Sequence, residues 1–318
     1  KRLGKWVVYG NGTNGFLQPK KDLNALNSGT TARTMIGAVS SNPINCKFIG
    51  DKSLSKRSMS RVTEYLEKLG ARFELTKNDY LPLKTFGTVK LVPEEIIIKK
   101  PSAQIKTALI FAGLNISGKF SIREKVLTRD HTEKLLKYLD VKYKTTKGKD
   151  GSNLIELKGP YEIYSKNIKV AGDPSSAAFF IVGALITPGS KITLKNVMLN
   201  PTRTEYLKIL KKMGGKIIIK KTCILSGEQC GDISVSYSKL KGINISKSLS
   251  PFLIDEYPIL SIAASCATGE TKMNGVSELR YKESDRIKSI VMNLKKAGVK
   301  AQSINDNIHI SGSSVLNK

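Results

Sequence analysis

Charged residues that could move protons and bind anions are concentrated in two short stretches near the end of the chain. "LIDEYPILSIAA" places Asp255 and Glu256 ahead of a mostly apolar helical pattern. "LRYKESDRIKSI" also precedes a helical pattern, and its charged core consists of Lys282, Glu283, Asp285 and Arg286. Two carboxylates in unlike environments can divide the roles of acid and base. The pattern predicts Asp255 and Glu283 across a small pocket; helix capping and a solvated charged surface are the alternatives.

A second candidate site lies in "DLNALNSGTTARTMIG", which begins with turn-forming residues and then becomes apolar. Residues 27–31 are small, flexible or hydroxylated, and Arg33 follows one turn into the expected helix. A helix N-terminus presents backbone N–H groups and a partial positive charge. The stretch therefore predicts an anion site at a helix start.

These stretches belong to a repeat with a long period. With Asn27, Ser102, Asp173 and Asp255 as markers, the spacings are 75, 71 and 82 residues. In each segment, small polar residues introduce an apolar helix, a short strand follows, and a second helix has apolar residues at i, i+3, i+4 and i+7. Strand-like runs end each segment. The pattern predicts four αβαββ units that share cores within two domains.

An arginine marks the start of the second helix in every segment. The four are Arg57, Arg129, Arg203 and Arg286. A guanidinium fork matches carboxylate or phosphate oxygens. Their equivalent positions indicate anion sites that face a shared cleft, while a solvated loop arginine, or one that only braces the fold, is the alternative at each position.

Composition sets further limits. The 53 basic and 26 acidic residues give a formal net charge of +27, which could serve nucleic acid, an anionic membrane surface or small anionic substrates. Because the lysines are spread along the whole chain, a Lys-rich solvated surface explains the charge equally well. The four cysteines have no metal-ligand spacing and favour a reducing compartment. The longest apolar run, 177–186, is half a membrane span, and no signal peptide is visible.

Two features near the start need separate interpretation. "KWVVYG" is typical of a strand, and the chain begins there with Lys1 instead of Met, so we expect its natural start to be missing. Gly10, Gly12 and Gly15 then form a G-x-G-x-x-G frame. Because no apolar helical period follows, we interpret these glycines as a turn and not as a dinucleotide site.

A series of motifs along the whole chain resembles one known family. The motifs, in order, are "NSGTTAR", "GDKSLSKRSM", "PSAQIKTALIFAGLN", "LTRDHTEKLL", "GDPSSAAFF", "NPTRT", "DEYPILSIAA" and "ELRYKESDRI". They resemble 5-enolpyruvylshikimate-3-phosphate (EPSP) synthases, also called 3-phosphoshikimate 1-carboxyvinyltransferases. The resemblance implies an α/β (α+β) enolpyruvyl transferase fold, an inside-out α/β barrel or prism. Its two domains each contain three βαβαββ units, with the active site between them.

Only four units are readable here, so the resemblance divides the chain into an N-terminal lobe, 1–169, and a C-terminal lobe, 170–318, each with two of three units. The family's first Lys-Ser motif and its later Asp-His-Arg motif are absent. We therefore expect a fragment that lacks both ends and has little or no activity by itself.

The resemblance also implies residue roles. The residues implied to bind phosphoenolpyruvate are Gly29, Arg57, Arg286 and, touching both substrates, Gln104. Those implied to bind shikimate 3-phosphate are Ser102, Ala103, Lys282 and either Thr128 or Arg129. Asp255 is implied to accept the proton of the attacking hydroxyl, and Glu283 to exchange a proton with the methylene carbon.

Two departures from the family pattern lie near the first of these sites. Leu26 stands where the family usually has glycine, and Ser58 replaces a proline. We expect Leu26 to alter the turn ahead of Gly29. The absence of a Cβ at Gly29 is expected to leave room for glyphosate.

The implied reaction transfers the enolpyruvyl group of phosphoenolpyruvate to the 5-hydroxyl of shikimate 3-phosphate and releases phosphate. It requires no cofactor or metal, and we expect a cytoplasmic monomer that binds neither nucleic acid nor membrane. The nearest alternative, a UDP-N-acetylglucosamine enolpyruvyl transferase, often uses a cysteine in an arginine-rich loop, where none of the four cysteines falls. A basic RNA-binding or RNA-end-processing protein of related fold is the other alternative. That alternative predicts aromatic residues interleaved with basic stripes. The aromatic residues of this chain, 7% of the total, are scattered instead.

Overall fold

A computed structural model describes residues 4–282 and 284–313. The chain divides into two compact units, Lys1–Lys166 and Asn167–Lys318, which we call the first and second unit. Each unit has its own hydrophobic core.

The helices and strands alternate regularly in both units. In the first unit they are β1 (Leu23–Asn24), α1 (Gly29–Ser40), β2 (Asn45–Ile49), α2 (Ser60–Lys68), β3 (Arg72–Glu74), β4 (Leu83–Phe86), β5 (Glu95–Ile98), α3 (Ala103–Gly113), β6 (Gly118–Glu124), α4 (His131–Tyr138), β7 (Tyr143–Lys147) and β8 (Asn153–Gly159). In the second unit they are α5 (Pro174–Ile186), β9 (Lys191–Met198), α6 (Glu205–Lys212), β10 (Lys216–Leu225), β11 (Glu228–Ser236), β12 (Asn244–Ile245), α7 (Ser250–Leu253), α8 (Tyr257–Ser265), β13 (Gly269–Met273), α9 (Arg286–Lys296), β14 (Lys300–Ile304) and β15 (Asn307–Gly312). Short 3₁₀ helices lie at Leu54–Lys56, Lys247–Leu249 and Ser277–Tyr281.

The sheets repeat one topology. The strand orders are β1-β2-β4-β3 and β5-β6-β8-β7 in the first unit, and β12-β13-β15-β14 in the second. In each, the first two strands pair in parallel and the remaining pairs are antiparallel. A three-stranded sheet, β10-β11-β9, completes the set, and Gly172 makes a parallel bridge to Val197 where a first strand would pair. The described residues thus contain four βαβαββ copies, which confirms the predicted repeat and fold class.

The two helices of each copy differ as their sequences predict. The first helices, α1, α3, α5 and α8, are apolar and largely buried. The second helices bury one side, as the apolar periodicity requires: Val62, Tyr65 and Leu66 of α2 are all buried, and charged residues occupy the rest of its surface.

The predicted strand at "KWVVYG" is wrong. Residues 6–10 lie outside any strand, and Trp6 and Val8 are 77% and 88% exposed. An apolar run forms a strand only where a partner strand satisfies its backbone groups, so strand-like residue types alone do not make a strand. The glycines that follow form a turn, with the Gly15 N–H donating to the Gly12 carbonyl at 3.1 Å.

Two general features concern the cysteines and the helix lengths. All four cysteines are free thiols. Among the described residues, every helix is too short or too polar to cross a bilayer.

Candidate active site

The N-terminus of α1 is built by a serine cap. Ser28 has an extended backbone, and its Oγ accepts the Thr31 N–H at 3.1 Å. Gly29, the first residue of the helix, is buried behind it. The cap fixes where the helix begins. The helix start that the sequence predicted at this position is therefore present.

Two arginines approach this helix start. A Cβ added to Gly29 would lie 3.2 Å from Nη1 of Arg57 and 3.3 Å from Nη1 of Arg33. Arg33 comes from the second turn of α1, whereas Arg57 follows the 3₁₀ helix after β2. Two guanidinium groups beside a helix N-terminus form a strongly positive environment, which favours a small anion.

Gln104 of α3 connects α1 with the second repeat copy. Its Oε1 accepts from Arg33 Nη1 at 2.7 Å, and its Nε2 donates to Thr30 Oγ1 at 2.8 Å. Arg33 also donates from Nη2 to the Ser58 carbonyl at 3.1 Å. These bonds fix the guanidinium of Arg33 and the amide of Gln104 at the same helix start.

The loop between β2 and α2 is organised by Asp51. Its carboxylate accepts the N–H groups of Leu54 and Ser53 at 2.7 and 2.9 Å and the Asn27 side-chain amide at 2.6 Å. The hydrogen bond from Leu54, followed by the one from Asn27, holds the pKa of Asp51 below its usual value. The Asp51 N–H donates to the carbonyl of Leu26, which tethers the Arg57 loop to the turn before α1.

Leu26 itself has a φ of +51°, the left-handed conformation that glycine adopts easily. Leu26 exposes 67% of its surface, and its predicted effect on the turn stays a prediction.

A second helix start in the first unit carries more of the predicted residues. Ser102 caps α3 by accepting the Ile105 N–H at 3.4 Å, and Ala103 and Gln104 are the first two helical residues. Thr128 and Arg129 lie in the segment just before α4. Thr128 donates its hydroxyl to Glu124 Oε2 at 2.8 Å.

In the second unit, Asp255 and Arg286 are neighbours. Arg286 Nη1 lies 3.3 Å from Asp255 Oδ1, and both side chains are about one quarter to one third exposed. Asp255 lies in the turn between α7 and α8, and Arg286 is the first residue of α9. The tertiary fold thus joins the two charged stretches that the sequence places 31 residues apart.

Asp285 fixes the start of α9. It accepts the Lys288 N–H at 3.0 Å, and this bond, with the nearby Arg280 guanidinium, holds the pKa of Asp285 below its usual value against the effect of partial burial. Lys282 is half-buried just after the 3₁₀ helix Ser277–Tyr281. Glu283 lies outside the described residues, so its predicted position opposite Asp255 stays a prediction.

Arg203 pairs with an aspartate at the start of the first helix of its copy, as Arg286 does with Asp255. Its Nη2 lies 3.1 Å from Asp173 Oδ1 and 2.7 Å from Ser175 Oγ, at the start of α5. Burial by itself would raise the pKa of Asp173, but bonds from Ser176 and the charge of Arg203 hold it below its usual value. Arg203 therefore braces a helix start, the alternative that the sequence left open.

Comparison with known protein families gives a match that covers both units. A model of the family "EPSP synthase (3-phosphoshikimate 1-carboxyvinyltransferase)" matches residues 2–318. This chain belongs to the EPSP synthase family. The family model extends over both units, so the capped start of α1 and the Asp255–Arg286 pair both lie within the EPSP synthase match.

Individual members of the EPSP synthase family cover nearly the whole chain. The 3-phosphoshikimate 1-carboxyvinyltransferases of Caldicellulosiruptor bescii and Zymomonas mobilis are 45% and 43% identical to it, each over 98% of the chain. An EPSP synthase structure from Acinetobacter baumannii superposes with a TM-score of 0.82 at 38% identity over 95% of the chain. The chain spans 72%, 68% and 67% of the lengths of these three proteins.

Sequence reasoning missed several residues that the structure places at these sites. Arg33 is part of the "NSGTTAR" motif, but only the tertiary contact with Gln104 shows where its guanidinium lies. The sequence patterns described above do not single out Lys106 and Glu124, although a lysine within the apolar run "IKTALIFAGL" indicates a buried charge. Lysine is almost never fully buried unless it is paired.

Proposed function

We propose that this protein transfers the enolpyruvyl group of phosphoenolpyruvate to the 5-hydroxyl of shikimate 3-phosphate and releases inorganic phosphate. The observation that carries the proposal is the EPSP synthase match over residues 2–318. The site geometry supports it independently, because both substrates are multiply anionic and the described helix starts are flanked by fixed cations.

Phosphoenolpyruvate is assigned to the start of α1. Its carboxylate and phosphate need several hydrogen-bond donors, and guanidinium groups satisfy such oxygens in pairs. Gly29 and Arg57 line this site, and Arg33 joins them because its Nη1 approaches Gly29 as closely as that of Arg57. In the second unit we assign Arg286 to the same substrate.

Shikimate 3-phosphate is assigned to the starts of α3 and α4. Ser102, Ala103 and Gln104 present a capped helix N-terminus, where backbone N–H groups suit a phosphate. The Thr128–Arg129 segment precedes α4 and adds a hydroxyl and a guanidinium. Lys282 is the proposed cation from the second unit.

Proton transfer is assigned to Asp255 and Glu283. The reaction removes the proton of the 5-hydroxyl as its oxygen bonds to C2 of phosphoenolpyruvate, and it delivers a proton to the methylene carbon. Loss of phosphate and of a proton from the resulting methyl group restores the double bond. Asp255 is the proposed base for the hydroxyl, and Arg286, 3.3 Å away, compensates its charge. Glu283 is the proposed partner at the methylene carbon.

The finer aspects of the function are also proposals. We propose that the protein works as a monomer in the cytoplasm, without cofactor and without nucleic acid as a partner. The four free thiols support a reducing compartment. The scattered lysines support a solvated basic surface rather than a nucleic-acid groove.

The decisive experiment measures phosphate release from phosphoenolpyruvate in the presence of different acceptors. Release that depends on shikimate 3-phosphate is expected, and release with UDP-N-acetylglucosamine instead would contradict the proposal. Calorimetric titration with shikimate 3-phosphate tests the acceptor site without turnover. Retention on a polyanion column that shikimate 3-phosphate cannot compete away would favour the RNA-binding alternative.

A matched pair of variants tests the role of Asp255. Asp255→Asn is expected to lower kcat by about 10²–10⁴-fold, the usual contribution of a general base. Asp306→Asn changes an aspartate whose side chain is 58% exposed and which lies outside the proposed site, so its kcat should match that of the unmodified protein. Equal rates for both variants would remove Asp255 from the mechanism.

A further inference from the structure

The first unit contains a buried group of three charges that the proposed function does not use. Lys106 of α3 lies between Glu124, at the end of β6, and Glu133, in the first turn of α4. Its Nζ is 3.1 Å from Glu124 Oε1 and 2.7 Å from Glu133 Oε1. The side chains of Lys106 and Glu124 are 0% and 1% exposed. Burying charged side chains carries a high desolvation cost, which indicates that this group has a role beyond packing.

The three charges are not equivalent. Glu133 Oε2 is buried and makes no hydrogen bond to any residue that the structure describes. Burial raises the pKa of Glu133 even though Lys106 opposes this change. Both oxygens of Glu124, in contrast, accept hydrogen bonds, Oε1 from Lys106 at 3.1 Å and Oε2 from Thr128 at 2.8 Å.

Glu124 directs the hydroxyl of Thr128. Thr128 Oγ1 donates to Glu124 Oε2 at 2.8 Å, and the Thr128 N–H points to Glu124 Oε1 at 3.5 Å. An ionised carboxylate can only accept, and a threonine hydroxyl has a single proton. Since that proton is donated to Glu124, Thr128 Oγ1 offers only lone pairs to a ligand.

This polarity limits what Thr128 can bind. A fully ionised phosphate has no proton to donate, so it cannot hydrogen-bond to Thr128 Oγ1 in this state. A sugar-like ring hydroxyl can donate, and a half-buried acceptor held by a buried carboxylate would select for one. The anionic group of the substrate is then left to charged donors of the same segment, such as Arg129.

We infer that Glu124 is a positioning residue that orients Thr128 as a hydrogen-bond acceptor for a ring hydroxyl of shikimate 3-phosphate, with Lys106 holding Glu124 in place. The inference rests on the proposed function, because it needs the segment before α4 to face that substrate. It assigns recognition of a ring hydroxyl to Thr128 and recognition of the phosphate to other donors. The family resemblance does not make this distinction.

Calorimetric titration of the full 318-residue chain with shikimate 3-phosphate, and competition with unphosphorylated shikimate, tests the inference. Thr128→Val should weaken both ligands by a similar factor, about 10-fold for one lost hydrogen bond, because the lost contact is to a shared hydroxyl. Thr128→Ser should restore both affinities. A loss confined to the phosphorylated ligand would show that Thr128 contacts phosphate, and would overturn the inference.

A double-mutant cycle tests whether Glu124 acts through Thr128. Glu124→Gln should weaken shikimate 3-phosphate binding, and adding it to Thr128→Val should cause no further loss, since residues that act as a unit are not additive. Lys106 keeps Glu133 as a partner in this variant, so folding is expected to survive. Additive losses, or unchanged binding by Glu124→Gln, would contradict the inference.

Thr107→Val is the matched structural control. The Thr107 hydroxyl lies 2.6 Å from that of Thr132, so it ties α3 to α4 as the Lys106–Glu133 pair does, without involving Glu124 or Thr128 in that contact. It should lower the melting temperature without changing ligand affinity. Equal weakening by Thr107→Val and Thr128→Val would reduce Glu124 to a structural role. If the unmodified chain fails to bind shikimate 3-phosphate, the proposed function fails first, which distinguishes the two cases.

Discussion

Gly37 of α1 faces the backbone of Ala108 in α3 so closely that a Cβ on Gly37 would lie 2.2 Å from the Ala108 carbonyl oxygen. The two helices therefore approach each other through glycine, without a side chain between them. This contact matters for the site, because Gly29 and Arg33 lie on α1 and Gln104 lies on α3.

Gly37→Ala is accordingly expected to force α1 and α3 apart. Overpacking of this kind costs about 1–3 kcal/mol, more than the gain of up to about 1 kcal/mol from replacing a helical glycine. Urea denaturation should show a lower free energy of unfolding. Gly183→Ala in α5 is the control, because an added Cβ there meets no atom within 4 Å and should stabilise the protein. Equal effects of the two changes would contradict the close approach of the α1 and α3 backbones at Gly37.

Leu26 offers a stabilising substitution. A non-glycine residue at a φ of +51° carries a steric cost of about 1–2 kcal/mol, which asparagine tolerates better. Leu26→Asn should raise the free energy of unfolding by about 1 kcal/mol, since the exposed leucine side chain contributes little burial. Leu26→Ala keeps the steric cost and should show no gain. A gain from alanine as large as that from asparagine would assign the effect to the lost side chain instead.

Gly29→Ala should weaken phosphoenolpyruvate binding. The new Cβ would lie 3.2 and 3.3 Å from the Nη1 atoms of Arg57 and Arg33, so both guanidinium groups must shift by a few tenths of an ångström. A rise in KM for phosphoenolpyruvate of roughly 10-fold is expected from weakened charge-assisted hydrogen bonds, and inhibition by glyphosate should weaken as well. Unchanged values for both ligands would place the anion elsewhere. Gly183→Ala again serves as the control for a helical glycine.

Glu133 makes stability depend on pH in a defined direction. Its pKa is raised above the reference of 4.5 in the folded protein, mainly by burial. The folded state therefore binds the proton more tightly, and the associated stability, full below about pH 4.5, is lost as pH rises through the folded pKa. The free energy of unfolding of Glu133→Gln minus that of the unmodified protein should therefore increase from pH 5 to pH 7.5, because only the unmodified protein loses stability through this group.

Denaturant titrations at these two pH values measure this change. Glu67→Gln, on an exposed position of α2, is the control and should show no comparable trend. A Glu133→Gln protein whose relative stability is independent of pH, or falls as pH rises, would contradict the raised pKa.

Much of the fold was accessible from local patterns. The i, i+3, i+4, i+7 apolar sets correctly predicted α2, α4, α6 and α9, because a helix that packs on one side must bury residues at that period. The short strand predicted after each first helix is present as well, for example as β6, Gly118–Glu124, after α3. The repeat itself followed from the similar spacings of these signals, 75, 71 and 82 residues.

Local patterns failed where partners decide the outcome. "KWVVYG" has strand-like residues but remains outside any strand, because a strand needs another strand's backbone groups. The four repeat arginines look equivalent in sequence, yet Arg203 is bound to Asp173 and Ser175, whereas Arg57 approaches Gly29. The sequence determines in which loop each arginine lies. The elements that pack around that loop determine which groups the guanidinium contacts.

The sequence by itself determined the repeat, the helix starts and the residue types that can hold phosphorylated acids. Only the tertiary structure decided that Arg33 meets Gln104 across 71 residues and that Arg286 meets Asp255 across 31. It also decided that Lys106 is buried between two carboxyl groups. The physical reason is range: capping and helical periodicity act within a few residues, whereas ion pairs and hydrogen bonds between side chains depend on which distant elements pack together.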